Sequence, residues 1–241
     1  MQDRYAGDIG DFGKLGLLRA LRREDFSIGV NWYRTQPTEA EKRKGDGSIR
    51  IPAELAACDP ALAEALDPIF DLGAARSVEA LKAAGLIEGA RYYPDPVDVK
   101  DREAWHAGAV KALEDSTLVF LDPDNGFIVR SAPPGSRRSA KYALYREAAD
   151  YVSQGKSVVV YNHRCRKKWD AYSRDIADRL RAVLPENNRP ILCVTFPRFS
   201  VRDYFIISAS EEHRRRIRAA LSALNSSEWF SSGMCRESEP L

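Results

Sequence analysis

Apolar residues recur along this chain in blocks whose period alternates between that of a helix and that of a strand. Leu15, Leu18 and Leu21 fall on one helical face and predict a helix from about Lys14 to Arg23, weakened by Gly16. Phe26 to Tyr33 is apolar and aromatic and predicts a first strand. Residues 36 to 50 are polar, and Gly45-Asp46-Gly47 marks a turn or mobile loop. From Ala53 to about Glu88 the chain is rich in Ala, Leu and Glu, which predicts two or three helices. Ala90 to Tyr93 predicts a short strand closed by Pro94, and Arg102 to Glu114 a helix.

Thr117 to Leu121 is continuously apolar and bounded by turn residues, the pattern of a strand buried on both faces. A helix over Lys141 to Ser153 follows, then a second buried strand over Ser157 to Tyr161, then a helix over Trp169 to Leu184. Pro190 to Thr195 and Asp203 to Ser208 predict two more strands, and Glu211 to Leu224 a helix. The segment between those two strands is too short for a parallel crossover, so they pair antiparallel. The tail, Ser226 to Leu241, is rich in Ser and Glu and is expected to be disordered at its end, with Trp229 and Phe230 as an aromatic pair able to dock.

This alternation predicts an α/β fold: a Rossmann-like open sheet, mostly parallel, with a C-terminal antiparallel strand pair and helices on both faces. The 241 residues read as one domain, with a helical insertion at about 53–88 and a tail at about 226–241. A hydrophobic content of 44% supplies a core without help from disulfides or metals. Cys58, Cys165, Cys193 and Cys235 form no CxxC pair and have no histidine at ligand spacing, which argues against structural zinc. No apolar run approaches a membrane span, so no membrane partner is expected. Free thiols and an amino terminus without an apolar stretch point to the cytoplasm. The net charge of +2 demands no polyanionic partner, but three local basic clusters can be phosphate patches or solvated helix faces: Arg137-Arg138, Arg164 to Lys168, and Arg214 to Arg216.

In an open α/β sheet, ligands bind beyond the carboxyl ends of the strands, near the point where strand order reverses. That rule singles out Asn31-Trp32-Tyr33, Asp122 to Gly126, Tyr161-Asn162-His163 and Pro197-Arg198. Asp122-Pro123-Asp124-Asn125-Gly126 follows a buried strand directly, so its carboxylates belong at the mouth of the sheet. An ordinary turn explains Asp124-Asn125-Gly126 but not an acid delivered by an apolar strand. His163 ends the next buried strand, within reach of Asp122 or Asp124 if the two strands are neighbours, and can carry protons. His106 and His213 lie in helical contexts and read as structural or exposed. The lead from Gly7 to Lys14 holds three glycines, Asp8, Asp11 and Lys14, yet is neither a P-loop nor a dinucleotide fingerprint. Asp8 or Asp11 reads equally as a helix cap, while the glycines would let a ligand approach the backbone.

Together these segments resemble the class I S-adenosylmethionine-dependent methyltransferases. Leu121-Asp122-Pro123-Asp124-Asn125 stands where the amino-methylating branch carries an Asp-Pro-Pro-Tyr-type motif. The lead from Gly7 to Lys14 is similar to the Gly-Asn-x-Ala-Asp-x-x-Lys-His segment of ribosomal-RNA adenine-N6 methyltransferases, and the layout resembles three-Cys-motif partner proteins. The resemblance implies S-adenosylmethionine as cofactor, flanked by Asp8, Asp11, Lys14, Asn31 and Tyr33. It implies Asp122, Asp124, Asn125 and His163 as catalytic residues on a nucleic-acid base or another amine. Substrate would meet Phe127 and Tyr161, with Arg164, Arg166 and Lys167 on its phosphates. The chain departs from the pattern after the first strand, where Asn31 to Pro37 replaces the glycine-rich cofactor loop. Two other readings stay open. One is a Mg²⁺- or Mn²⁺-dependent nuclease or phosphoesterase with Asp122 and Asp124 as ligands and Lys141 and His163 beside them. The other is a binding module that kept the fold and lost the cofactor.

Overall fold

The computed structural model describes residues 1–39, 47–164, 168–185 and 190–241. A seven-stranded sheet runs in the order β2-β1-β3-β6-β8-β7-β9. Its strands are β1 (Ile28–Asn31), β2 (Arg91–Tyr93), β3 (Leu118–Leu121), β6 (Ser157–His163), β7 (Ile191–Phe196), β8 (Arg202–Ile207) and β9 (Glu239–Pro240). A separate parallel pair joins β4 (Gly126–Phe127) to β5 (Tyr142–Ala143). The β2, β1, β3 and β6 strands are mutually parallel, and β8 is antiparallel to both β6 and β7. The mostly parallel α/β sheet with its antiparallel pair near the C-terminus is therefore present.

Strand geometry sends alternate side chains to opposite faces, and both faces are buried here. Leu118 and Phe120 join one core and Val119 and Leu121 the other. The first core packs under α1 (Ile9–Arg23), α8 (Glu211–Asn225) and the short helices α2 (Ala53–Ala56), α3 (Pro60–Asp71) and α4 (Val78–Ala83). The second packs under α5 (Arg102–Ala112), α6 (Tyr145–Ser153) and α7 (Trp169–Arg181). Side chains of Asp8, Asp59, Ser77, Asp101 and Ser210 accept from the first turns of α1, α3, α4, α5 and α8, satisfying N–H groups that the helix cannot pair itself. Among the described residues no helix is long and apolar enough to cross a membrane.

Three sequence expectations change. First, α1 begins at Ile9, so Gly10, Gly13 and Gly16 are helical. A Cβ at Gly13 would lie 2.9 Å from the Phe196 ring, and one at Gly16 2.3 Å from Trp229. These two glycines make room for packing; neither opens the backbone to a ligand. Second, the helix expected from Lys141 starts only at Tyr145, after a 3-10 turn over Arg137–Lys141 and then β5. Third, the tail is ordered. The α9 helix (Glu228–Ser231) stacks Trp229 on Phe12 with ring centroids 4.8 Å apart, and β9 pairs with β7.

From β1 the chain moves to β2 on one side, then returns to β3 on the other. Strand order thus reverses between β1 and β3, and their carboxyl ends frame a crevice. Asn31 is in register with Leu121, and the Asp122 N–H donates to the Asn31 carbonyl at 3.0 Å.

Candidate functional site

Asp122 leaves β3 into this crevice and is buried. Lys14, one turn into α1, donates to Asp122 Oδ2 at 2.6 Å and to Asp11 Oδ1 at 2.8 Å, while Asp11 Oδ2 accepts from the Gly7 N–H at 2.9 Å. The Lys14 ammonium also lies 5.8 Å from the Trp32 ring centroid and 5.9 Å from that of Tyr161. Burial by itself would discharge Lys14, but Asp11 and Asp122 hold it above the ordinary lysine value. Burial raises Asp122, against the opposing pull of Lys14 and the Met1 ammonium. A buried carboxylate is tolerable only when paired in this way.

A second ammonium sits beside the first. The Met1 amine donates to the carbonyls of Trp32 at 2.9 Å, Tyr33 at 3.0 Å and Asp122 at 2.9 Å, and lies 3.1 Å from Asp124 Oδ1. Asp124 Oδ2 accepts from Gln2 at 2.7 Å and Thr35 at 3.0 Å, and Lys141 lies 3.5 Å away. Burial works against the Asp124 charge, but the Met1 ammonium, Gln2 and Lys141 hold it below the ordinary carboxylate value. Tyr33 adopts φ 44, a left-handed backbone rarely taken by a bulky residue. At the end of β1, Tyr33 thus takes the conformation that a glycine would reach without strain. Gly126 has φ 106, and a Cβ there would lie 2.0 Å from Asn162 Oδ1, which accepts from the Phe127 N–H at 3.2 Å. The turn after Asp122 is therefore locked onto β6 and tolerates only glycine at 126.

Met1, Asp11, Lys14, Asp122 and Asp124 line a cavity of about 330 Å³ together with Asp8, Asn125, Tyr161, His163 and Arg202. Burial, then the charge of Asp11, pushes the Asp8 carboxyl up to about 6. Partial burial and the neighbouring Arg202 lower His163 below its ordinary value. Burial lifts Tyr161 to about 12. The lining of the cavity thus carries both acidic and basic groups.

No protein-family model matches this chain. No curated protein matches it either. Among solved structures, a Legionella pneumophila str. Philadelphia 1 protein assigned to the DUF519 family model aligns over 99% of this chain and 96% of its own, at 12% identity and a TM-score of 0.42. A likeness of that size assigns no family.

Asp8, Asp11, Lys14, Asp122, Asp124, Asn125, Tyr161 and His163 thus come together around one cavity. His163 shares its wall with Asp122 and Asp124 but bonds to neither. Asn31 and Tyr33 do not present side chains to it. Asn31 Oδ1 accepts from the Tyr33 N–H at 3.2 Å, and the Tyr33 hydroxyl donates to Glu147 at 2.8 Å inside the core. Only their backbone reaches the crevice. Phe127 is buried with one ring face covered by Tyr145, centroids 4.5 Å apart. Arg164 is committed to Asp203 and Thr195 and lies 3.8 Å over Trp169, so it is not a free phosphate contact. Arg166 and Lys167 fall outside the described residues. Outside the site, His106 pairs with Asp150 and His213 with Ser157.

Arg202 and the Met1-Gln2 segment were not legible as site residues. Attention to carboxyl ends of strands passes over Arg202, because an antiparallel strand brings its amino end to the same mouth: Arg202 is in register with His163. The available signal was the strand pair itself. The Met1-Gln2 segment has no periodicity to read.

The metal reading meets a poor donor set. Lys14 and the Met1 ammonium already neutralise Asp122 and Asp124. Among the described residues no group of three or more His, Cys, Asp or Glu could hold a metal ion. The residues present do not fit Mg²⁺ or Mn²⁺.

Proposed function

We propose that this chain is an S-adenosylmethionine-dependent methyltransferase acting on an amine of a nucleic-acid base. The observation that carries the reading is the acceptor set at the strand-order reversal. The carbonyls of Trp32, Tyr33 and Asp122 and the Asp124 carboxylate converge on one primary ammonium. In this structure that ammonium is the chain's own Met1 amine, and the amino-acid end of a methyl donor would take the same acceptors in its place. Strand order supports the same reading, since the resemblance implies a mostly parallel sheet that ends in an antiparallel hairpin, as β7 and β8 form.

S-adenosylmethionine supplies an electrophilic methyl group when bound. Asp8, Asp11 and Lys14 would line the cavity around such a ligand, and Arg202 would face its carboxylate. Asp122 gives one oxygen to Lys14, and its other carries no hydrogen bond among the described residues, leaving an acceptor for the N–H of a substrate amine. His163, in the wall of the same cavity, would take up the proton that the amine loses on methylation.

The test is calorimetric titration of the folded chain with S-adenosylmethionine, followed by transfer of a labelled methyl group to RNA. Saturable heat is expected, with transfer lost in Asp122→Asn while donor binding persists. No heat at high micromolar donor sinks the reading.

A further inference from the structure

A second cavity, of about 650 Å³, opens on the other side of Asn125, between the ends of β1 and β2 and the Arg137–Lys141 turn. Four of its described lining residues are cationic, namely Arg34, Arg137, Arg138 and Lys141, and none is acidic. The adjoining 330 Å³ cavity is lined by Asp8, Asp11, Asp122 and Asp124. That cavity mixes charges, with Lys14, Arg202 and the Met1 ammonium beside its aspartates, whereas the charged residues described in the lining of this one are all cationic. Arg34 is anchored by Asp3 at 2.9 Å and Glu79 at 2.5 Å, and Lys141 leans toward Asp124. Arg137 and Arg138 are different. Both are exposed, and neither pairs with a carboxylate among the described residues. Pro96, Val97 and Tyr142 add an apolar wall. Cations above an apolar wall match a ligand with an anionic group on a flat, weakly polar body, and the volume lies within the range of about 300–1,000 Å³ typical of small-molecule sites.

We propose that this cavity binds a phosphorylated nucleotide unit, with Arg137 and Arg138 meeting the phosphate and Pro96, Val97 and Tyr142 bordering the sugar and base. Arginine forks suit phosphate oxygens, and unpaired arginines lose no existing partner on binding. The phosphate can belong to a free nucleotide or to a nucleic-acid strand. The proposal deepens the methyl-transfer reading by naming the charged part of its substrate, and it is tested without a methyl donor so that either can fail alone.

The test is fluorescence anisotropy of a labelled, short single-stranded RNA with the full chain, with adenosine monophosphate and adenosine as competitors. Adenosine monophosphate should displace the RNA where adenosine does not. The Arg137→Gln/Arg138→Gln pair should weaken RNA binding about tenfold and flatten the log–log salt dependence by about 1.4, because a single strand releases about 0.7 counterion per phosphate contact. A control pair, Arg215→Gln/Arg218→Gln on exposed positions of α8, should leave both unchanged. RNA binding much tighter than the monophosphate assigns the strand as ligand, and equal affinity assigns the free nucleotide. Parental affinity and salt slope in the Arg137/Arg138 variant, equal loss in the control pair, or competition by adenosine as strong as by its monophosphate would overturn the proposal.

Discussion

Three aspartates crowd the first two turns of α1 and the end of β3, and one lysine makes their burial tolerable. Lys14 serves Asp11 and Asp122, while Asp8 is left to its cap bonds with the Gly10 and Asp11 N–H groups at 2.8 and 3.1 Å. Its carboxyl therefore holds a proton up to about pH 6, by burial first and the Asp11 charge second. A carboxyl raised in the fold above its unfolded value of 3.8 takes up a proton on folding. The associated stability is complete below the unfolded value and is lost as pH rises through about 6. Asn caps a helix as well as Asp does, so Asp8→Asn removes the titration and keeps the cap. The Tm of the parent minus that of Asp8→Asn should be largest near pH 4 and should fall toward pH 7. A difference that stays flat across that window contradicts the account. At this scale Asp122, Asp124 and Lys14 were readable from sequence, because an acid after an apolar strand and a lysine in a glycine-rich lead are local facts. Their pairing was not, because 108 residues separate Lys14 from Asp122.

Helix α1 shows how an element can be read correctly in kind and wrongly in purpose. Its glycines looked like a loop for ligand approach, yet Gly16 faces the Trp229 ring across a helix contact. In a helix interior, Gly→Ala gains about 1 kcal/mol of propensity. Here the added methyl would meet the ring at 2.3 Å, and Trp229 is boxed in by Phe12 and Phe196. Overpacking of about 1–3 kcal/mol should win. Gly16→Ala is therefore expected to destabilise the chain by up to about 2 kcal/mol in urea unfolding, the overpacking cost less the propensity gain. Trp229→Ala should cost less in that background than in the parent, since the displaced ring has already lost its packing. Additive effects would show that α9 does not dock as described. The tail was misread for a related reason: Ser- and Glu-rich composition describes its exposed side, whereas Trp229 and the pairing of β9 with β7 depend on distant surfaces.

At the scale of the whole molecule, β3, β6 and β8 lie inside the sheet and β2 and β9 at its edges. Every residue of β3 and β8 is buried. Native-state hydrogen exchange should therefore find the slowest amides in β3, β6 and β8, exchanging only on global unfolding, with β2 and β9 released by local opening. Equal protection in β2 and β3 would contradict this layering. The same layering positions the crevice, because β1 and β3 diverge in connectivity while remaining hydrogen-bonded neighbours.

Periodicity, apolar runs and turn residues were enough to specify the α/β class, most strand positions, the antiparallel pair and the placing of Asp122 to Gly126 at a strand end, since each depends on residues near one another in the chain. Assembly alone decided that Lys14 and the Met1 amine neutralise the two aspartates, that Asn31, Tyr33 and Arg164 spend their side chains on the interior, and that Arg202 reaches the mouth from an antiparallel strand. It also set a mixed-charge and a basic cavity side by side across Asn125. Those outcomes depend on strand order and register, which bring together charges from segments far apart in sequence, and on burial, which then determines which of those charges must pair.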